Sequence, residues 1–189
     1  RAGAGSTLGT EQAARAAADG HTLVATYNSS IAPGPLLYNK LGYDPIKNFA
    51  PITHTANVQL VMVVPATLGV NSVQEFIALA RNPPGQLTVA SAGTATSTHL
   101  SIELLKSLAK IDVVHVPFKG AAPAHQEMMG GRLDIMFDNI SAARPHIQAG
   151  RLKGLVVSSA QRSAALPNIP TVNETGLTRF EGESWFGVF

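Results

Sequence analysis

The chain has no cysteine among its 189 residues. Disulfide frameworks, thiolate metal sites and cysteine nucleophiles are therefore excluded. Charge is scarce as well. Asp, Glu, Lys and Arg make up 14% of the chain, the formal net charge is +2, and there is no basic run. Aromatic residues account for 6%, with one Trp and three Tyr. A nucleic-acid surface needs a Lys/Arg stripe with interleaved aromatics, so no nucleic-acid partner is expected. The most apolar window, Leu60 to Val70, is about half a membrane span and contains Pro65. The opening residues, RAGAGSTLGTEQ, lack the apolar core of a secretion signal. A Gly-x-Ser-x-Gly elbow and the Gly-Lys-Ser/Thr of a P-loop are missing too. No two of the six histidines stand four apart, so no helical zinc site is expected, and no cofactor motif is complete.

What remains is an apolar fraction of 45%, which describes an ordered chain. A chain of this length buries roughly 70% of its unfolded surface. It opens without Met inside a glycine-rich loop and stops on the strand-like GESWFGVF, so both ends are read as cut and the chain as a fragment.

Glu11 to Ala18 predicts a short helix with Thr10 as N-cap, and His21 to Tyr27 a strand. Ser72 and Glu75 form a capping box before FIALARN, and Pro83-Pro84-Gly85 ends that helix. From about residue 86 to 158, apolar strands alternate with helices in the order βαβαβαβ. Strands of this kind predict a parallel sheet covered on both faces, hence an α/β fold.

Within that run lies Ser91-Ala92-Gly93-Thr94-Ala95-Thr96-Ser97-Thr98-His99-Leu100, with five hydroxyls and a histidine between a strand and a helix. Three readings compete. In the first, a hydroxyl is a nucleophile and His99 its base. Ser97 and His99 are two positions apart on a helix and cannot pair there, and Ser91 would reach His99 only through the loop. In the second, the hydroxyls cap the helix and the histidine is buried and inert. In the third, the loop is an anion cradle at the carboxyl end of a parallel strand, where helix N-terminal amides attract a carboxylate. Elsewhere, GAGSTLG misses a dinucleotide-loop glycine and reads as a tight turn. His115, inside an apolar strand, reads as a core residue. Asp138, at a strand end, either caps the next helix or bonds a ligand.

Several long segments resemble the substrate-binding proteins of tripartite tricarboxylate transporters, the Bug or TctC-like family. They are GAGSTLGTEQAARAAADGHTL (3–23), LYNKLGYDPIKNFAPIT (37–53), PGQLTVASAGTATSTHLSIELLK (84–106), VVHVPFKGAAPAHQEMMGGRLDIMFDN (113–139) and SSAQRSAALPNIPTVNETG (158–176). The resemblance implies a periplasmic binding protein fold of type II, two α/β lobes with a ligand cleft between them. It also implies a small carboxylate as ligand, delivery to membrane permease subunits, a periplasmic location, a monomer, no cofactor and no catalysis. On that pattern residues 1–57 would be part of the first lobe, 58–158 the second lobe, and 159–189 a return to the first. The first lobe's initial strand and glycine-rich ligand loop would lie upstream.

Carried over by motif, Ser91, Ala92, Gly93, Thr94, Thr96 and Ser97 would be the second lobe's carboxylate cradle. Asn28, Ser29 and Ser30 would be the facing loop of the first lobe. Asp138 would lie near the crevice floor and Lys119-Gly120 near its rim. Ala95 stands where many members have a second glycine. An effector-sensing domain of similar fold and a Ser/His hydrolase are the alternatives.

Overall fold

The computed structural model describes residues 3–82, 86–177, 180 and 182–189. Along the chain come α1 (Thr7–Ala14), β1 (Ala25–Tyr27), α2 (Asn28–Ile31) and α3 (Gly34–Leu37). The long strand β2 (Thr53–Pro65) precedes α4 (Val73–Ala80), β3 (Thr88–Ser91), α5 (Ser97–Ala109) and β4 (Val114–Pro117). They are followed by α6 (Ala121–Met129), β5 (Ile135–Asn139), α7 (Ile140–Gln148), β6 (Leu152–Val157) and β7 (Glu183–Val188).

The second half of β2 is apolar at every position from Leu60 to Val64, and the two faces go to two different cores. Leu60, Met62 and Val64 pack with Phe76, Ile102 and Phe137. Val61 and Val63 pack with Ala90, Met128 and Met136. This is the two-residue alternation of a strand covered on both sides. α4 and α5 supply the cover on the first face, α6 and α7 on the second.

The same strand joins two ladders. Thr53 to Gln59 pairs with β7, which also pairs with β1, all antiparallel. From Leu60 onward β2 pairs with β5 on one side and, from Val61, with β6 on the other. β3 lies parallel to both β4 and β5.

The expected all-parallel sheet is therefore corrected to a mixed one. β3, β4, β5 and β6 run in one direction as the alternation requires, but β2 inserts antiparallel between β5 and β6. An apolar run of this length satisfies either direction, because what it needs is cover on both faces. The first helix also lies a turn earlier than Glu11–Ala18. Thr10 does not cap it. Its hydroxyl donates to Ser6 O at 3.1 Å inside the helix and meets Thr26 Oγ1 at 2.9 Å. Arg15 to Gly20 is exposed and buries nothing that would extend the helix. Of His21–Tyr27, the last three residues form the strand, because β7 contributes Phe186 to Val188 to that ladder.

The capping box at Ser72 and Glu75 forms as expected. Ser72 Oγ accepts from Glu75 N at 3.1 Å, and Glu75 Oε2 accepts from Asn71 N at 2.8 Å. Thr96 caps α5 by accepting from His99 N at 3.4 Å. The expected stop at Pro83-Pro84-Gly85 lies outside the described residues.

Candidate functional site

Parallel strands place their carboxyl ends, and the starts of the helices that follow, at one edge of the sheet. β3 leads to α5, β4 to α6 and β5 to α7, so three helix N-termini open on the same side. A cavity of about 260 Å³ sits there. Ala92, Thr96 and Thr98 from the β3–α5 junction line it, as do Lys119, Gly120 and Ala121 from the β4–α6 junction, and Asp138, Asn139 and Ala142 from the β5–α7 junction. Gly3, Gly5, Ser6, Tyr27 and Phe186 form the opposite wall. Each helix start carries amides without intrahelical partners and the positive end of the peptide dipoles. Lys119 adds a full charge, so the near wall is electropositive.

The hydroxyl loop is tied together internally. Ala92 N donates to Thr98 Oγ1 at 3.0 Å, the Thr98 and Thr96 hydroxyls meet at 2.8 Å, and Thr96 Oγ1 donates to Gly93 O at 2.6 Å. Gly93 N donates to Ser91 Oγ at 3.2 Å. The Ala92 and Gly93 amides are thus engaged within the loop, and Ser91, which is 0% exposed, stands behind the wall. Ser91 Oγ and His115 Nε2 are 2.7 Å apart, and the His115 ring stacks on His99 at 4.1 Å. Burial and then His99 push His115 down to about 4, and burial lowers His99 too. The partner of Ser91 is therefore His115. The ring packed on that histidine is another imidazole, where a triad would place a carboxylate.

The remaining sequence-derived candidates divide. Thr94 offers its carbonyl to Tyr38 OH at 3.0 Å and is not on the cavity wall. Ser97 and Asn28 bond each other, Asn28 Nδ2 to Ser97 Oγ at 3.0 Å, and border a separate cavity of about 160 Å³. Ser29 and Ser30 are buried on the one-turn helix α2. Ser29 Oγ donates to Gly5 O at 2.6 Å and Ser30 Oγ to Tyr27 O at 3.0 Å, so both support wall residues from behind. Asp138 is 1% exposed, on the cavity floor; its Oδ2 lies 2.6 Å from His125 Nε2, and its Oδ1 accepts from Asn139 N at 2.8 Å.

Sequence reasoning missed the opposite wall. Gly3, Gly5 and Ser6 belong to the stretch read as a tight turn, and Tyr27 and Phe186 carried no motif. Gly5 has a reason for its identity. It sits at φ +58°, and a Cβ there would lie 2.7 Å from Thr94 O. Gly93, at φ +143°, faces Gly5 N across the gap. The two glycine-bearing loops thus meet backbone to backbone.

A family model described as tripartite tricarboxylate transporter family receptor matches residues 1–189. The chain belongs to this family. Among relatives of this receptor, BugT of Bordetella pertussis is 32% identical over 189 residues, covering 100% of this chain and 58% of BugT. Rpa4515 of R. palustris, solved with adipate, is 33% identical with a TM-score of 0.96, covering 100% of this chain and 63% of the other. MatC from Rhodopseudomonas palustris, solved with bound malate, is 33% identical with a TM-score of 0.91, covering 99% and 64%. The chain therefore spans little more than half the length of BugT. The fold is that of the periplasmic binding proteins. Among the described residues, no helix is long and apolar enough to cross a membrane, and no group of three or more metal-ligating side chains occurs.

Proposed function

We propose that this receptor captures a small carboxylate, an organic acid, in the cavity at the three helix starts and delivers it in the periplasm to a tripartite tricarboxylate-type permease. The observation that carries the reading is the convergence of α5, α6 and α7 with Lys119 on one cavity. Hydrogen bonds to a charged group contribute about 1.5–3 kcal/mol each, so three or four approach the roughly 8 kcal/mol of a micromolar complex. Adipate and malate in the two similar structures are of this chemical class.

In this reading residues 1–57 and 159–189 belong to one lobe and 58–158 to the other, with the ligand between them. Ala92, Thr96 and Asp138 contact the ligand or its water. Ser91, Gly93, Thr94, Ser97, Asn28, Ser29 and Ser30 hold the two walls in register. The receptor acts as a monomer without cofactor or catalysis.

The test is thermal unfolding of the whole protein with adipate, malate and the uncharged adipamide. A ligand at a hundred times its Kd stabilises by about 2.7 kcal/mol, which raises Tm by roughly 5–10 °C for a chain of this size. Adipate or malate should produce such a rise and adipamide should not. Equal shifts with the diamide, or none with any carboxylate, would sink the reading.

A further inference from the structure

We propose that the Asn28–Ser97 pair is the end wall of the carboxylate cavity and sets how long an acid this receptor accepts. The inference rests on the carboxylate reading and extends it. Besides the cavity of about 260 Å³ at the three helix starts there is a smaller one of about 160 Å³. Three segments of the chain run from one to the other, so the two are neighbours. Tyr27 lines the larger and Asn28 the smaller; Thr96 lines the larger and Ser97 the smaller. Phe186 of β7 lines the larger, and Gly182, just ahead of that strand, lines the smaller. Between these last two stands Ser184, buried and on the same face of the strand as Phe186.

Asn28 and Ser97 close the boundary. Asn28 Nδ2 donates to Ser97 Oγ at 3.0 Å, and Ser97 Oγ donates to Asn28 Oδ1 at 3.1 Å. The hydroxyl serves once as acceptor and once as donor, so the pair satisfies itself and asks nothing of a ligand. The chain on both sides is pinned, since Ser29 Oγ donates to Gly5 O and Thr96 Oγ1 to Gly93 O, each at 2.6 Å. Shortening either side chain therefore leaves a hole instead of drawing the walls together. The space behind the pair has a definite chemistry. Leu100 and Leu104, one turn apart on α5, give it an apolar side, and Glu183 brings a carboxylate to it. An apolar tail is accommodated there, whereas a second carboxylate meets a like charge. The acid that removal of the pair admits is thus a monocarboxylate with an apolar tail.

The experiment is calorimetric titration of the whole protein, wild type and Asn28→Ala, with adipate, malate, the eight-carbon monoacid octanoate and the eight-carbon diacid suberate. The readout is the affinity for octanoate relative to adipate or malate, a ratio in which any general loosening of the cleft cancels. Room for further methylene groups is worth about tenfold or more, so the ratio should rise at least about tenfold in the variant. Suberate should gain less than octanoate. Ser97→Ala unties Asn28 without touching the Thr96 cap. It should shift the ratio in the same direction, and it decides the matter should the Asn28 variant not fold. An unchanged ratio in both variants, with all the acids weakening alike or not at all, overturns the end wall while leaving carboxylate binding intact. A gain for suberate equal to that for octanoate overturns the assignment of the space behind the pair to an apolar tail. Absence of binding to the wild type by adipate and malate alike overturns the carboxylate reading and this inference with it.

Discussion

Individual residues matter most where two loops touch. Gly5 brings its backbone against Thr94 O, and Ser29 Oγ holds the Gly5 carbonyl from the other side. Alanine at position 5 would both strain a left-handed backbone and collide with a carbonyl that cannot swing away, since Tyr38 OH is bonded to it. We predict that Gly5→Ala costs about 1–3 kcal/mol and pushes the glycine wall off the hydroxyl loop. Urea unfolding of the variant measures the first effect and adipate affinity the second; a variant unchanged in both would remove the contact from the account. The composition of GAGSTLG and SAGTATSTHL was legible beforehand, but that one glycine faces the other was not. Eighty-eight positions separate Gly5 from Gly93, and a sequence pattern reaches about one turn in either direction.

Between elements, the Ser91–His115 bond ties the carboxyl end of β3 to its parallel neighbour β4, and His99 braces the pair from α5. Burial pushes His115 down to about 4 from an ordinary 6.5, with His99 adding to the effect. The sign follows from which state takes the proton. Below the ordinary value the unfolded chain binds a proton that the folded chain refuses, so stability falls as pH drops from about 6.5 to about 4 and then levels off. The full shift would exceed 3 kcal/mol, but the ring is half-exposed, and about 1–2 kcal/mol is the expected share after screening. Urea midpoints at near-neutral pH and around pH 5 should differ less in His115→Gln than in the wild type; parallel declines would refute the assignment. Sequence reasoning placed His115 in an apolar strand and considered His99 as partner for Ser91. Which of the two histidines meets the serine depends on the β3–β4 register, Ser91 opposite Pro117 and Val89 opposite His115. That register is set by packing on both faces of the sheet, so the loop motif carries no trace of it.

Over the whole molecule, stability is distributed unevenly. Both core clusters are drawn from residues 60 onward, between Leu60 and Phe180. Among the described residues before β2 there are three short α-helices, a 3-10 turn and a three-residue strand, and Leu23, Leu36, Ile46 and Ile52 are exposed. Hydrogen exchange should follow this division: amides of β3, β5, β6 and the second half of β2 exchange last, and those of residues 15–50 exchange through local opening well before global unfolding. Uniform protection across the chain would contradict it. The sequence by itself determined the alternation of strands and helices from residue 86, the capping box at Ser72 and Glu75, the absence of cysteine chemistry, and the segments that carry the family resemblance. Each of these is a local matter of spacing, hydroxyl placement or composition. The tertiary structure decided the antiparallel insertion of β2, the pairing of Ser91 with His115 and of Asp138 with His125, and the glycine wall opposite the hydroxyl loop. These depend on contacts between residues far apart in the chain, whose partners are chosen by burial and by the geometry of neighbouring strands.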